Sequence, residues 1–107
     1  MGRHNHAMCA MADSIFAFCG ILGDDTVTSS IERFSFAWGH QAPRWQIIQV
    51  ADSLLPRFSL GVAPISATEI AILGGYSDGG PNNDQEGQKL SDVLIFHVKN
   101  KIISVAA

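Results

Sequence analysis

The two halves of this sequence repeat one order of arginines, apolar segments and glycines, and this repeat constrains the fold more than any other feature. Arg3 lies 54 residues before Arg57, and Gly20 lies 55 residues before Gly75. Each half reads as an arginine, an apolar segment, a short turn, and a second apolar segment that ends at glycine. A loop, a third segment, another turn and a fourth segment follow. One such unit cannot bury both of its faces alone, so the repeat predicts stacked units.

The apolar segments are short and are separated by turn-forming residues, which is typical of an all-β chain. Phe34 lies 62 residues before Phe96, and the extra residues fall in the polar segment 77–88. The pattern predicts one four-stranded antiparallel meander per half, with strands near 8–11, 15–18, 31–36, 45–50, 59–65, 70–73, 93–96 and 102–105. A period of about 50 residues with four strands is the spacing of β-propeller blades.

Composition excludes several classes of protein. Hydrophobic residues make up 47% of the 107 residues and charged residues 16%, which is too apolar for a disordered chain. The formal net charge of −3 gives no basic footprint for nucleic acid. No apolar run approaches the roughly 20 residues that a membrane-spanning helix needs. These observations predict a soluble, cytoplasmic protein that binds neither nucleic acid nor membrane.

Short motifs occur in the same order in both halves. The second half has Leu55-Pro56-Arg57, then a strand that ends in Gly74-Gly75-Tyr76, then the segment 91–96. The first half has Arg3, His6-Ala7, a strand that ends in Cys19-Gly20, the segment 30–34, and Trp45. This order, present twice, resembles kelch repeats, and the resemblance covers nearly the whole chain.

The sequence departs from the kelch pattern at three places. The first diglycine is Cys19-Gly20, so one glycine is lost. Ile102 stands where the fourth strand of the second repeat would carry Trp. The aromatic-Asp pair that usually ends the third strand is absent, because Phe36 precedes Ala37 and Phe96 precedes His97.

The resemblance implies an all-β fold of two four-stranded antiparallel blades of a kelch-type propeller, incomplete as a closed ring. The whole chain, 1–107, would form this partial propeller, with one blade over about 3–50 and the other over about 57–106. Known propellers close with about 4–8 blades. Further blades of a longer chain, or self-association, would then complete the structure. The residues assigned to the structural repeat motif are Arg3, Gly20, Trp45, Arg57, Gly74 and Gly75.

Specific roles are expected for some of these motif residues. The Trp45 ring is expected to be buried between blades, because an indole on the outer strand can fill the space between two sheets. Arg3 and Arg57 recur at one position of the repeat, which favours a structural contact where the chain enters each blade. The alternative is that these arginines are exposed and bind acidic partners through paired hydrogen bonds.

The resemblance implies protein binding as the function, with an unidentified protein partner and no cofactor. Binding is expected through the loops at one end of the blades, around 23–26 and 77–88, because loops on a rigid scaffold commonly carry function. The candidate residues are Asp24, Asp25, Tyr76, Asp78, Asn82 and Asp84. Two alternatives remain, which are a fragment of a kelch-type propeller enzyme, an oxidase or isomerase, and a small self-associating β protein. No catalytic set is recognisable, so the sequence predicts no enzyme.

Weak motifs elsewhere do not establish a metal or nucleotide site. His4, His6 and Cys9 lack a fourth zinc ligand at a recognised spacing. The segment 82–87 resembles the start of a calcium loop, but the glutamate required at position twelve is missing. The glycine-rich segment 74–80 lacks the Gly-Lys-Ser/Thr of a phosphate-binding loop. Buried, reduced thiols are favoured for Cys9 and Cys19, with a disulfide left open.

Overall fold

A computed structural model describes residues 2–11, 13–35, 44–50, 54–77 and 88–106. The described residues form nine β-strands and no helix. In chain order the strands are β1 (Arg3–His4), β2 (Ala7–Met11), β3 (Ser14–Leu22), β4 (Val27–Ser35), β5 (Arg44–Ile48), β6 (Gly61–Ser66), β7 (Glu69–Tyr76), β8 (Lys89–His97) and β9 (Ile102–Val105). None of the described residues belongs to a helix able to cross a membrane.

The strands form two separate antiparallel sheets, which confirms the all-β prediction. The first sheet has the order β1-β3-β4-β5, and β2 pairs with β3 as well. Because β1 pairs with the end of β3 and β2 with its beginning, the two short strands together occupy one edge of the sheet. The second sheet is a simple meander with the order β6-β7-β8-β9. Each half of the chain therefore contributes one sheet with four strand positions.

The two sheets pack face to face around a shared aromatic core. Phe16 and Phe18, two residues apart on β3, lie on one face of the first sheet because strand side chains alternate. Both rings contact Phe96 of β8, at centroid distances of 6.0 and 5.9 Å in edge-to-face geometry. Apolar residues of both sheets complete this core, namely Cys9, Cys19, Ile31, Leu54, Ile70, Ile72 and Leu94. We call the two faces that meet here the inner faces.

The opposite face of each sheet, which we call its outer face, is also largely apolar. Cross-strand pairing places Met8 opposite Ala17, and Phe34 opposite both Ile15 and Trp45, on the outer face of the first sheet. On the second sheet it places Ala71 opposite both Ala63 and Ile95, and Leu73 opposite Val93. Both faces of each sheet therefore carry side chains suited to packing.

Two backbone hydrogen bonds join the sheets at one end. The Gly20 N–H donates to the carbonyl oxygen of Arg57 at 2.9 Å, and the Ser59 N–H donates to the carbonyl oxygen of Asn5 at 2.7 Å. These bonds fix the position of one sheet relative to the other, because each joins the main chain of the first half to that of the second.

Unusual backbone angles recur at matching positions of the two halves. Gly20 has a φ of 102° and Gly75 a φ of 100°, a region that favours glycine. Cys19 and Gly74, one residue earlier, have φ of 59° and 55°. Cys19 therefore adopts a left-handed conformation at the position where its half lost a glycine. The sequence repeat is thus a repeat of backbone conformation.

Trp45 corrects one expectation of the sequence analysis. Its ring packs against Phe34 at 5.3 Å between centroids, but 45% of the residue remains exposed. The expected burial between sheets was wrong, because Trp45 lies on the outer face of the first sheet rather than on the inner one. The register also places Ile103, not Ile102, opposite Phe96. Ile103 is therefore the counterpart of Trp45 in the second half.

Candidate functional site

Arg57 lies at the centre of a buried polar cluster at the end of the second sheet. Only 1% of the residue is exposed. Its guanidinium donates to both carboxylate oxygens of Asp92, at 2.7 and 2.9 Å, and to the carbonyl oxygen of Gly74 at 3.1 Å. A further N–H donates to the carbonyl oxygen of Leu55 at 3.2 Å. Hydrogen bonds from the guanidinium hold the pKa of Asp92 below its ordinary value.

Arg3 makes the matching contacts at the end of the first sheet. Its guanidinium donates to the carbonyl oxygen of Cys19 at 2.8 Å and to the hydroxyl of Ser30 at 3.0 Å. It also forms an ion pair with Glu32. Cys19 corresponds to Gly74 in the repeat, and Ser30 to Asp92. The first half therefore has a serine at the position of the aspartate and obtains its carboxylate from Glu32, two residues farther along β4.

These contacts favour a structural role for both arginines. Each guanidinium joins the chain that enters a sheet to the second and third strands of that sheet. The donors of Arg57 are directed at partners within the protein, and its burial leaves no surface for an acidic ligand. The Arg3 side chain is also largely buried. This geometry therefore does not support the alternative in which exposed arginines bind an acidic partner.

Gly20 and Gly75 have the same environment at the two sheet ends. A Cβ added at Gly20 would lie 2.8 Å from the carbonyl oxygen of His4, and one added at Gly75 would lie 2.8 Å from that of Phe58. Because no real Cβ atom approaches a backbone oxygen so closely, both positions require glycine. The repeated glycines allow the chain that enters each sheet to cross close to its second strand.

The loop between β3 and β4 is a compact, exposed turn. The Asp25 N–H donates to the carbonyl oxygen of Leu22 at 2.9 Å, and the Leu22 N–H donates to that of Thr26 at 2.8 Å. The Thr26 N–H also donates to the Asp24 carboxylate at 3.0 Å, and hydrogen bonds from Thr26 lower the pKa of Asp24. The turn thus presents the carboxylates of Asp24 and Asp25 to solvent on a defined backbone.

The loop between β7 and β8 leaves the second sheet at the corresponding end. The Tyr76 ring stacks on Phe58 with centroids 5.9 Å apart, and 42% of Tyr76 is exposed. The Ser77 N–H donates to the carbonyl oxygen of Gln88 at 2.9 Å, which closes the base of the loop. The candidate binding residues Asp78, Asn82 and Asp84 lie outside the described residues, as does the segment 82–87 that resembles a calcium loop.

A pocket of about 230 Å³ opens on the outer face of the first sheet. Its walls are Arg3, His6, Met8, Ala17, Glu32 and Trp45. Within the described part of the chain, the Nδ1 atom of His6 is buried without a hydrogen-bond partner. The pocket therefore combines an aromatic ring, apolar side chains and a pair of opposite charges.

The cysteines and histidines do not form a recognisable metal centre. Cys9 and Cys19 are free thiols and both are buried. Burial raises the pKa of Cys19 to about 11 and also raises that of Cys9, so neither thiol is a thiolate near neutral pH. Across the described ranges, no three His, Cys, Asp or Glu side chains come close enough together to hold a metal ion.

Sequence reasoning identified the two arginines but missed their carboxylate partners. Glu32 and Asp92 lie 29 and 35 residues beyond Arg3 and Arg57. A usable signal was present, because Glu32 lies in the predicted third strand of the first half and Asp92 lies in the matching motif segment 91–96 of the second. No family model and no curated protein sequence matches this chain.

Proposed function

We propose that this protein is a protein-binding module of kelch-repeat type, which binds its partner through the loops between the second and third strands of the two sheets. The observation that carries the proposal is the position of these loops. Both leave equivalent ends of two sheets that are locked together by the core and by backbone hydrogen bonds. A rigid scaffold with two loops at one end is a common arrangement for a binding surface.

The charge of the loops indicates the chemistry of the partner. The first loop carries Asp24 and Asp25, and the segment 77–88 carries Asp78, Asp84 and Glu86. Neither loop contains lysine or arginine. An acidic surface attracts basic surfaces and repels nucleic acids. The partner proposed is therefore a protein with a basic surface, and the proposed compartment is the cytoplasm, where thiols remain reduced.

The test is a comparison of two variants in affinity capture from a lysate of the source organism. Asp24→Asn combined with Asp25→Asn removes two charges from the loop, whereas Lys99→Ser changes the turn between β8 and β9 at the other end of the second sheet. The wild type and Lys99→Ser are expected to capture the same protein, and the double variant to lose most of it. Binding should weaken as salt rises, because exposed charges are screened. Equal capture by all three chains contradicts the proposal.

A further inference from the structure

Large apolar side chains are exposed on the outer faces of both sheets. Ile47, beside Trp45 on the first sheet, is 64% exposed, and Leu73 on the second sheet is 43% exposed. Contiguous apolar surface on a folded chain commonly marks an interaction site. The repeat between the two halves indicates which surface would cover these faces.

The outer face of the second sheet is the same face of the repeating unit as the inner face of the first. Leu73 lies two residues before Gly75, as Phe18 lies two residues before Gly20. Phe18 is fully buried against the second sheet, whereas Leu73 is exposed. Leu73 therefore occupies, on an uncovered sheet, a position that is part of the core on the covered one.

The outer face of the first sheet likewise matches the inner face of the second. Phe34 corresponds to Phe96, which lies opposite Ile103 as Phe34 lies opposite Trp45. Phe96 is fully buried and Ile103 packs against the core. The two outer faces are thus counterparts of the two inner faces that already pack together within the chain.

We propose that copies of this chain associate head to tail, with the outer face of the second sheet of one copy packed on the outer face of the first sheet of the next. This contact repeats, between chains, the contact that joins the two sheets within each chain. It uses the same two kinds of sheet face, in the same order, as the interface within the chain. It does not involve the loops proposed to bind a partner.

The sizes of the side chains suit this contact. Ala71 and Leu73 occupy the positions on the second sheet that Phe16 and Phe18 occupy on the first. The outer face of the second sheet therefore has smaller side chains than the inner face of the first. Trp45 occupies the position on the first sheet that Ile103 occupies on the second. The outer face of the first sheet therefore has a larger side chain there than the inner face of the second. The smaller face of one copy would receive the larger face of the next, as close packing requires.

A backbone hydrogen bond between the two sheets would also recur between copies. Within the chain, the Gly20 N–H donates to the carbonyl oxygen of Arg57 across the two sheets. The repeat places the Gly75 N–H of one copy opposite the Arg3 carbonyl oxygen of the next. The association therefore repeats a polar contact at the sheet ends together with an apolar contact between the faces.

A head-to-tail contact uses two different surfaces, so it either closes into a ring or continues as a filament. Propellers close with about 4–8 sheets. Since each copy supplies two sheets, we expect a closed ring of two to four copies. The size and the closure of the assembly can both be measured.

Sedimentation equilibrium of the wild type and three variants tests the proposal. Ile47→Lys places a charge on the outer face of the first sheet, and Leu73→Lys places one on that of the second. Leu55→Lys, at an exposed leucine outside all the strands, is the matched control. The three substituted side chains are all exposed, so circular dichroism and thermal melting are expected to show that every variant folds.

The wild type and Leu55→Lys are expected to sediment as one species of two to four times the 11.5 kDa chain mass. Ile47→Lys and Leu73→Lys should each be monomeric. An equal mixture of these two variants should form a dimer and nothing larger, because one intact face of each kind remains in the mixture.

Other results overturn the proposal. A monomeric wild type would assign the outer faces to another partner or to sheets of a longer chain. Loss of assembly in only one face variant would indicate a symmetric contact between identical faces. A mixture that stays monomeric, or a control that also dissociates, would show that the two outer faces do not bind each other.

Discussion

Arg57 and Asp92 form an ion pair at the end of the second sheet, but the two partners differ in their access to water. Arg57 is almost completely buried, whereas 35% of the Asp92 side chain is exposed. Removing the carboxylate leaves a charged guanidinium in the interior, which is costly. Removing the guanidinium leaves a carboxylate that water can still solvate.

We therefore expect Asp92→Ala to lower the free energy of unfolding by about 3 kcal/mol and Arg57→Met by about 1–2 kcal/mol. Urea denaturation of both variants beside the wild type measures the difference. The reverse order would show that the hydrogen bonds of the Arg57 guanidinium to the carbonyl oxygens of Leu55 and Gly74 contribute more stability than its pairing with Asp92.

Gly75 carries a second prediction at the residue scale. Its φ of 100° and the nearby Phe58 oxygen make Gly75→Ala strained in both the backbone and the packing. We expect a loss of about 2–3 kcal/mol in the free energy of unfolding. Gly61→Ala is the matched control within the same sheet, because its Cβ would meet Leu73 at an ordinary 3.6 Å. Similar losses in the two variants would contradict the requirement for glycine at position 75.

Cys19 predicts a loss of stability in alkaline solution. Burial raises the pKa of its thiol from 9.0 to about 11, so between these values the unfolded chain loses the proton and the folded chain retains it. The contribution is therefore complete below pH 9 and is lost as the pH rises towards 11, by about 2–3 kcal/mol. Denaturant melts at several pH values should show this decline in the wild type and a weaker one in Cys19→Ala. Parallel declines would mean that the Cys19 thiol is accessible to water.

At the scale of the strands, local patterns in the sequence predicted much of the fold. The strand at 102–105 was predicted with the bounds it has in the structure, because a turn at Lys99-Asn100-Lys101 precedes a short apolar run. The second strand of the second half also follows from its apolar run and the glycines that end it. Alternation and turn formers act within a few residues of each other, so they can be recognised along the chain.

Contacts across the fold were less accessible to sequence reasoning. The sequence placed Trp45 on a strand but wrongly predicted that its ring is buried. Burial depends on which sheet faces pack against each other, and this is not encoded in the local pattern. The partners of the arginines were missed for a similar reason, since Glu32 and Asp92 are distant in sequence. Repeat spacing identified the positions that matter, and only the packing of the sheets showed what each position contacts.

The inner faces are buried and the outer faces are exposed in the single chain, so truncating a side chain on each should lower the free energy of unfolding by different amounts. Phe96→Ala should lower the free energy of unfolding by about 3–5 kcal/mol, because the ring is fully buried between the sheets. Trp45→Ala should cost the monomer less than about 2 kcal/mol, because nearly half of the residue is exposed. Chemical denaturation of both variants at high dilution measures this. A larger loss for Trp45 would mean that its face is covered within the single chain.

At the scale of the whole molecule, one structural unit occurs twice and packs upon itself. The arginine clusters, the glycines with positive φ and the opposed aromatic residues recur in both halves. The two units meet through different faces, which leaves one face of each kind on the outside. The loops proposed to bind a partner lie at the ends of the sheets, so partner binding and self-association would use separate surfaces.

This packing of one unit on the other is tested most directly by proton–proton distances from nuclear magnetic resonance. We expect cross-peaks from the ring of Phe96 to the rings of both Phe16 and Phe18, which lie at 6.0 and 5.9 Å between centroids. The experiment is best performed on Leu73→Lys, so that contacts between chains do not contribute. Cross-peaks from Phe96 that remain confined to its own half of the chain would contradict the stacking of the two sheets.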